Sequence, residues 1–157
     1  MMSKNGFTLV AKDRGQITAK AIRAAGSNAV VAYADGAGNS ELGASDITKI
    51  KIEGKVIAAD NLGVKGSNPT YANAYQNIGA YATNGGYIEI AGSKASTQFN
   101  EDGATAIGAN EGSLIYGIGA VAKGKDANNN VSTVKMKDIT IIDNEQGALY
   151  AENNGAI

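Results

Sequence analysis

Residues Gly119-Ala120-Val121-Ala122-Lys123-Gly124-Lys125-Asp126 come within one residue of spelling a phosphate-binding loop. That loop needs a hydroxyl after the second lysine to hold magnesium, and a helix whose N-terminus faces the phosphates. Asp126 stands where the hydroxyl belongs, and its carboxylate repels phosphate. The Asn128-Asn129-Asn130 run behind it does not favour a helix, so the match reads as a product of the local repeat. Carboxylates offer a second chemistry. Glu101 with Asp102, and Asp138 with Asp143 and Glu145, are the acids that cluster. Glycoside cleavage needs two carboxyl groups facing each other about 5 to 10 Å apart. Glu101 and Asp102 fall in a polar loop and Asp143-Asn144-Glu145 reads as a turn, so the spacing brings no such pair together.

The chain has no His and no Cys. Disulfides, thiol nucleophiles, zinc sites built on Cys or His and every imidazole-based triad are therefore excluded. A calcium β-roll would repeat Gly-Gly-x-Gly-x-Asp, but Gly85-Gly86 leads into Tyr87-Ile88-Glu89-Ile90. The expectation is a non-enzyme, with no catalytic residue, no metal ligand and no cofactor. Tyrosine is the remaining chemistry, because aromatic rings are favoured at binding surfaces. Tyr81 and Tyr87 belong to a repeat and are read as packing or stacking along it. Tyr71 and Tyr75, in an irregular segment, are the residues assigned to partner contact.

The elements that carry these residues are short strands. In Lys49-Ile50-Lys51-Ile52-Glu53 the isoleucines point one way and the charges the other; Tyr87-Ile88-Glu89-Ile90 and Val134-Lys135-Met136-Lys137 repeat the alternation. Ile17, Ala19 and Ala21 form a similar face, and Ile139-Thr140-Ile141-Ile142 is more uniformly apolar. A second strand type is alanine-rich, as in Ala80-Tyr81-Ala82, and leads to the first through a Gly or Asn turn such as Asn84-Gly85-Gly86. An Asn-Gly pair can also close an antiparallel hairpin. Recurrence of the whole two-strand unit favours a corner between parallel coils.

That recurrence sets the architecture. Val30 to Gly36, Ile78 to Ile90, Ile118 to Gly124 and Gly147 to Gly155 are loose copies of one phrase, with final alanines at 34, 82, 122 and 151. Steps of one or two units mark an array in which each unit buries its apolar face on its neighbours. The expected fold is all-β: a single-stranded parallel solenoid of about five to seven coils, about 4.8 Å apart. Residues 1–15 are read as an expression start or N-terminal edge segment, with Met1 to Gly6 non-native in look. Residues 16–157 form the repeat region, with loop excursions near 61–77, 93–103 and 123–130, the first holding the one proline, Pro69. A net charge of −1 and a pI near 5.4 argue against a nucleic-acid partner. No stretch has the roughly 20 apolar residues of a membrane-spanning helix, so no membrane insertion is expected.

The form apolar-Gly-x-Tyr-Ala-x-x-Gly-Gly-x-Ile-x-Ile, intact at Ile78 to Ile90 and matched again from Gly147 to Ile157, resembles the repeats of bacterial autotransporter passenger domains. The resemblance implies a right-handed parallel β-helix, exported through an outer-membrane barrel and displayed at the cell surface. It further implies an adhesive role, expected to be non-catalytic, toward a host or neighbouring-cell protein or glycan. Asn154-Gly155-Ala156-Ile157 breaks off inside a copy of the repeat, so the chain reads as an excised, monomeric rod whose unpaired strand edges allow end-to-end association. Two alternatives stand beside it. Many right-handed β-helices cleave polysaccharides as lyases or hydrolases. Thr105 to Asn110 with Tyr116 to Gly124 resembles the heads of trimeric autotransporter adhesins, which are left-handed rolls of shorter coils.

Overall fold

The alternation of small and large apolar residues with Gly or Asn corners builds an all-β chain of parallel sheets, seen in a computed structural model that describes residues 6–25, 30–38, 47–54, 56–59, 78–91, 113–116, 118–142 and 148–157. Its first sheet contains strands β1 (Phe7–Lys12), β4 (Val30–Asp35), β7 (Ile78–Thr83), β10 (Ile118–Lys123) and β13 (Leu149–Glu152), in that spatial order. The second holds β2 (Gln16–Ala19), β5 (Lys49–Ile52), β8 (Tyr87–Ile90) and β11 (Thr133–Met136). The third holds β3 (Ile22–Ala25), β6 (Val56–Ala59), β9 (Ser113–Tyr116) and β12 (Ile139–Ile142). Every strand pairing is parallel. The chain therefore visits the three sheets in turn and then steps up one rung, the topology of a β-solenoid.

Four alanines read from the sequence form one inward column. Ala11, Ala34, Ala82, Ala122 and Ala151 lie in register, so each step between them is one turn of the chain. The expectation that some steps span two units is corrected: turns differ in length because segments are inserted at their corners. The described residues show five rungs in the first sheet. The earliest, β1, stands at one end of the first sheet. A second correction concerns the unit itself, which has three strands instead of two.

Isoleucines of the second sheet face the alanines across the interior. Ile17, Ile50, Ile88 and Val134 stack in one column and Ala19, Ile52, Ile90 and Met136 in the next. Ile50, Ile52, Ile88, Ile90 and Val134 are fully buried. Each fully buried side chain of this size contributes about 1.5–3 kcal/mol relative to exposure. The alternation thus fixes which face turns inward, as a one-residue slip would put Lys49, Lys51 and Glu89 into the core.

Interior volume is shared between the first and third sheets. In the third sheet the inward column runs Ala24, Ala58, Ile115, Ile141. Where this column is large, the first sheet supplies glycine: a methyl on Gly79 would land on the Ile115 side chain, and one on Gly119 on that of Ile141. Where the column is small, at Ala58, the register puts fully buried Val31 in the glycine's place. Large and small residues exchange sheets between rungs two and three, keeping a close-packed interior.

Candidate functional site

Corners between the first and second sheets set where outward side chains begin. Three of them share one design. Asp13 and Arg14, Asn84 and Gly85, and Asn153 and Asn154 all have positive φ, between 48° and 83°. The glycine that follows donates its N–H back across the turn: Gly15 to the Lys12 carbonyl (2.8 Å), Gly86 to Thr83 (2.9 Å), Gly155 to Glu152 (2.8 Å). This is the hydrogen-bonded turn with two left-handed central residues that Asn-Gly favours. Gly86 turns it into a coil corner instead of a hairpin. Its Cα lies against the Ala34 carbonyl of the rung below, where a methyl group does not fit.

In the intervening rungs the corner is long, residues 36–48 and 124–132, and a hydroxyl replaces the glycine. Thr48 and Ser132 are fully buried. Thr48 Oγ1 accepts the Arg14 N–H (2.9 Å). Ser132 Oγ accepts the equivalent Gly85 N–H (2.9 Å) and donates to the Lys123 carbonyl (2.7 Å). Backbone bonds link this column from rung to rung: Lys49 N to Gly15 O, Tyr87 N to Thr48 O, Thr133 N to Gly86 O and Ala156 N to Ser132 O. At two of the tight turns one backbone N–H, that of Arg14 and that of Gly85, is thereby satisfied by the side chain above.

The phosphate-loop look-alike is mostly strand, since Gly119 to Lys123 lie in β10. Asp126 is buried and organises its own loop: Oδ1 accepts from the Asn128 N–H (2.9 Å) and the Asn130 N–H (2.8 Å), and Oδ2 from Asn130 Nδ2 (2.7 Å). Lys123 pairs with Glu152 at 3.3 Å. Of the clustered acids only Asp138 is described, at an exposed left-handed position (φ 50°). Glu101, Asp102, Asp143 and Glu145 lie outside the described residues, as do Tyr71, Tyr75 and the excursions 61–77 and 93–103. Among the described residues no three acids gather as a metal site.

Among the described residues two outward faces carry side chains with binding chemistry. On the first sheet Tyr33 and Tyr81 are register partners whose rings meet edge-on at 5.5 Å, and Phe7 packs on Tyr33 at 4.9 Å. The same column continues through Val121 to Tyr150. Tyr33 donates to Asp35 Oδ2 (3.2 Å), and Asp35 Oδ1 accepts from the Ala37 N–H (3.1 Å) and from Asn84 Nδ2 (3.0 Å). Burial, then the Asp35 charge and hydrogen bond, then Tyr81, push the Tyr33 phenol up to about 12.

On the second sheet the outward columns read Gln16, Lys49, Tyr87, Thr133, and beside it Thr18, Lys51, Glu89, Lys135. Lys20, Glu53, Ala91 and Lys137 follow at the strand ends, tied by Glu53 N to Ala19 O, Ala91 N to Ile52 O and Lys137 N to Ile90 O. Tyr87 sits between lysines of the rungs on either side: Lys49 Nζ lies 5.0 Å and Lys135 Nζ 5.7 Å from its ring centre. Such cation–π pairs contribute about 0.5–1 kcal/mol each at exposed sites. Its hydroxyl donates to Glu89 Oε2 (3.0 Å). Burial, then the bond to Glu89 and its charge, raise the Tyr87 phenol. A shallow groove of about 290 Å³ opens beside it, lined by Tyr87, Glu89, Ala91, Lys135 and Lys137, with Ile90 and Met136 beneath.

Tyr81 thus stacks along the repeat on Tyr33, whereas Tyr87 packs between lysines of the neighbouring rungs. The lysine face is not legible in the sequence as a face: alternation turns Lys49, Lys51, Lys135 and Lys137 outward one by one, and only the register assembles them. Comparison with protein-family models, with curated proteins and with solved structures gave no match.

Proposed function

We propose that the chain is a non-catalytic, adhesive part of a bacterial autotransporter passenger domain, a right-handed parallel β-helix displayed outside the cell. The observation that carries this reading is the unbroken register of the first sheet, which lines up Tyr33 and Tyr81 of successive rungs, and Tyr150 beyond Val121, on its outer face. Rungs about 4.8 Å apart make a stiff support on which side chains repeat along one axis. The right-handed sense is supported by chain sterics: a strand that crosses over to a parallel neighbour in the same sheet does so right-handedly in nearly all proteins. The repeat form at Ile78 to Ile90 supports the family. Turns of 23 residues or more, as from Ala11 to Ala34, favour it over the shorter coils of trimeric adhesin heads. The partner is a protein or glycan on a host or neighbouring cell.

Beads coated with the protein test this directly. They are expected to adhere to cultured epithelial or bacterial cells above beads coated with albumin, while polysaccharide lyase and hydrolase assays stay at background. No adhesion above albumin, or turnover of a polysaccharide, overturns the proposal.

A further inference from the structure

We infer that the outer face of the second sheet binds an acidic polysaccharide, with the groove beside Tyr87 as its centre. This names the ligand class of the adhesive reading above and rests on that reading.

The chain carries a net charge of −1, yet this face is basic. Lys49 and Lys51 lie on the second rung, Lys135 and Lys137 on the fourth, and Lys20 at the end of the first, against Glu53 and Glu89. The two lysine pairs are two rungs apart, about 9.6 Å along the axis, with Glu89 and Tyr87 between them. The comparable charged column of the first sheet, Lys12, Asp35, Thr83, Lys123, Glu152, balances its signs. Like charges held on one flat sheet raise the local potential and attract a polyanion.

Three observations choose among polyanions. Of the exposed large apolar side chains among the described residues, Phe7, Val10 and Leu149 belong to the first sheet, while Val131 precedes β11 and Ile157 is the last residue, so strands β2, β5, β8 and β11 themselves present no large exposed apolar side chain to a bilayer. Tyr87 has lysines over its ring, so it offers no open platform on which nucleobases stack. The spaces between lysines hold Gln16, Thr18, Thr133 and the Glu89 carboxylate, groups that exchange hydrogen bonds with sugar hydroxyls. A hydrated chain carrying carboxylates or sulfates with hydroxyls between them fits all three.

The test uses fluorescein-labelled heparin and polygalacturonate as probes, with dextran as the neutral control. Phosphatidylglycerol vesicles and single-stranded DNA form the competing arms, and fluorescence anisotropy reads binding to the whole chain. Expected is binding of both acidic polysaccharides, lost on adding salt, with none to dextran. Lys51→Gln/Lys135→Gln should weaken binding about tenfold, as two exposed charge contacts are lost together. Glu89→Gln, which keeps an acceptor for Tyr87, should strengthen it. Folding of each variant is checked by circular dichroism, and the Glu89→Gln result and the wild-type probe series stand even if the double variant misfolds. No polysaccharide binding, equal binding of dextran, tighter binding of DNA or vesicles, or unchanged affinity in both folded variants overturns the inference. Cell adhesion by coated beads separates the two readings. Adhesion without polysaccharide binding sinks the ligand and leaves the adhesive role; polysaccharide binding without adhesion does the reverse.

Discussion

Gly119 and Ile141 should behave as one unit of volume. The Gly119 φ is not left-handed, so its backbone accepts alanine. A methyl there, however, would land on Ile141 Cδ1 and lie 2.9 Å from Cγ1 and 3.1 Å from the Ala148 carbonyl oxygen. Overpacking of this kind costs about 1–3 kcal/mol, offset in part by about 0.4–1 kcal/mol from the stiffer unfolded chain. Gly119→Ala is therefore expected to lose about 1–2 kcal/mol. Ile141 is only partly buried, so Ile141→Ala should sit near the low end of core truncations, about 2 kcal/mol. Independent effects would sum to about 3–4 kcal/mol in the double variant. Because the obstruction is almost wholly the Ile141 side chain, the double variant should instead lose no more than Ile141→Ala alone. The matching pair at Gly79 and Ile115 supplies the control. There a methyl also meets the Gly119 carbonyl oxygen at 2.7 Å, which no truncation of Ile115 removes, so its rescue should be partial. Urea unfolding followed by far-ultraviolet circular dichroism measures all six variants. Additivity at 119 and 141 within about 0.5 kcal/mol would refute the shared-volume account.

Ser132→Ala should cost about 1–2 kcal/mol by removing an acceptor of the Gly85 N–H and a donor to the Lys123 carbonyl, whereas Ser132→Thr should be tolerated, since Thr48 fills the equivalent place; urea midpoints decide. Thr8 Oγ1 is buried without a hydrogen-bond partner, in the column that Val31 occupies one rung on, so Thr8→Val should raise stability by about 1 kcal/mol in the same assay. The Tyr33 phenol is raised from 10.0 to about 12 in the folded chain, so the unfolded chain releases this proton first as pH rises. Its contribution is full below pH 10 and disappears as pH climbs to about 12, a fall of about 1–2 kcal/mol after discounting for solvent contact. Tyr33→Phe should flatten stability over that window, and Asp35→Asn should bring the Tyr33 phenolate absorbance step to lower pH; an unaltered titration in Asp35→Asn would remove Asp35 as a cause.

Two sheets were legible because their residues obey short rules. Ile50, Ile52, Ile88 and Ile90 alternate with charge, and the alanines at 34, 82, 122 and 151 recur in one phrase, so facing and stacking followed from type alone. The third sheet obeys no such rule. Its strands read Ile-Arg-Ala-Ala, Val-Ile-Ala-Ala, Ser-Leu-Ile-Tyr and Ile-Thr-Ile-Ile, and their inward volumes make sense only beside Val31, Gly79 and Gly119 on the opposite sheet. Ala11 was missed because Asp13-Arg14 makes its corner with no Asn or Gly at either left-handed position. Unequal steps hid the single turn for a related reason: inserted corners change the count of residues without moving a rung. The lysine face needed register as well as facing, and register is a property of neighbours far apart in sequence.

The corners between the first two sheets alternate, tight at 13–15, 84–86 and 153–155, long at 36–48 and 124–132. Two long segments on adjacent rungs would have to share a strip only about 4.8 Å high. Spacing them every second storey doubles that headroom, and each compact turn between acts as a plain shelf. The alanine and isoleucine columns keep their register past both kinds of corner. One edge of the rod is thus a place where new surface can be added without rebuilding what lies beneath it.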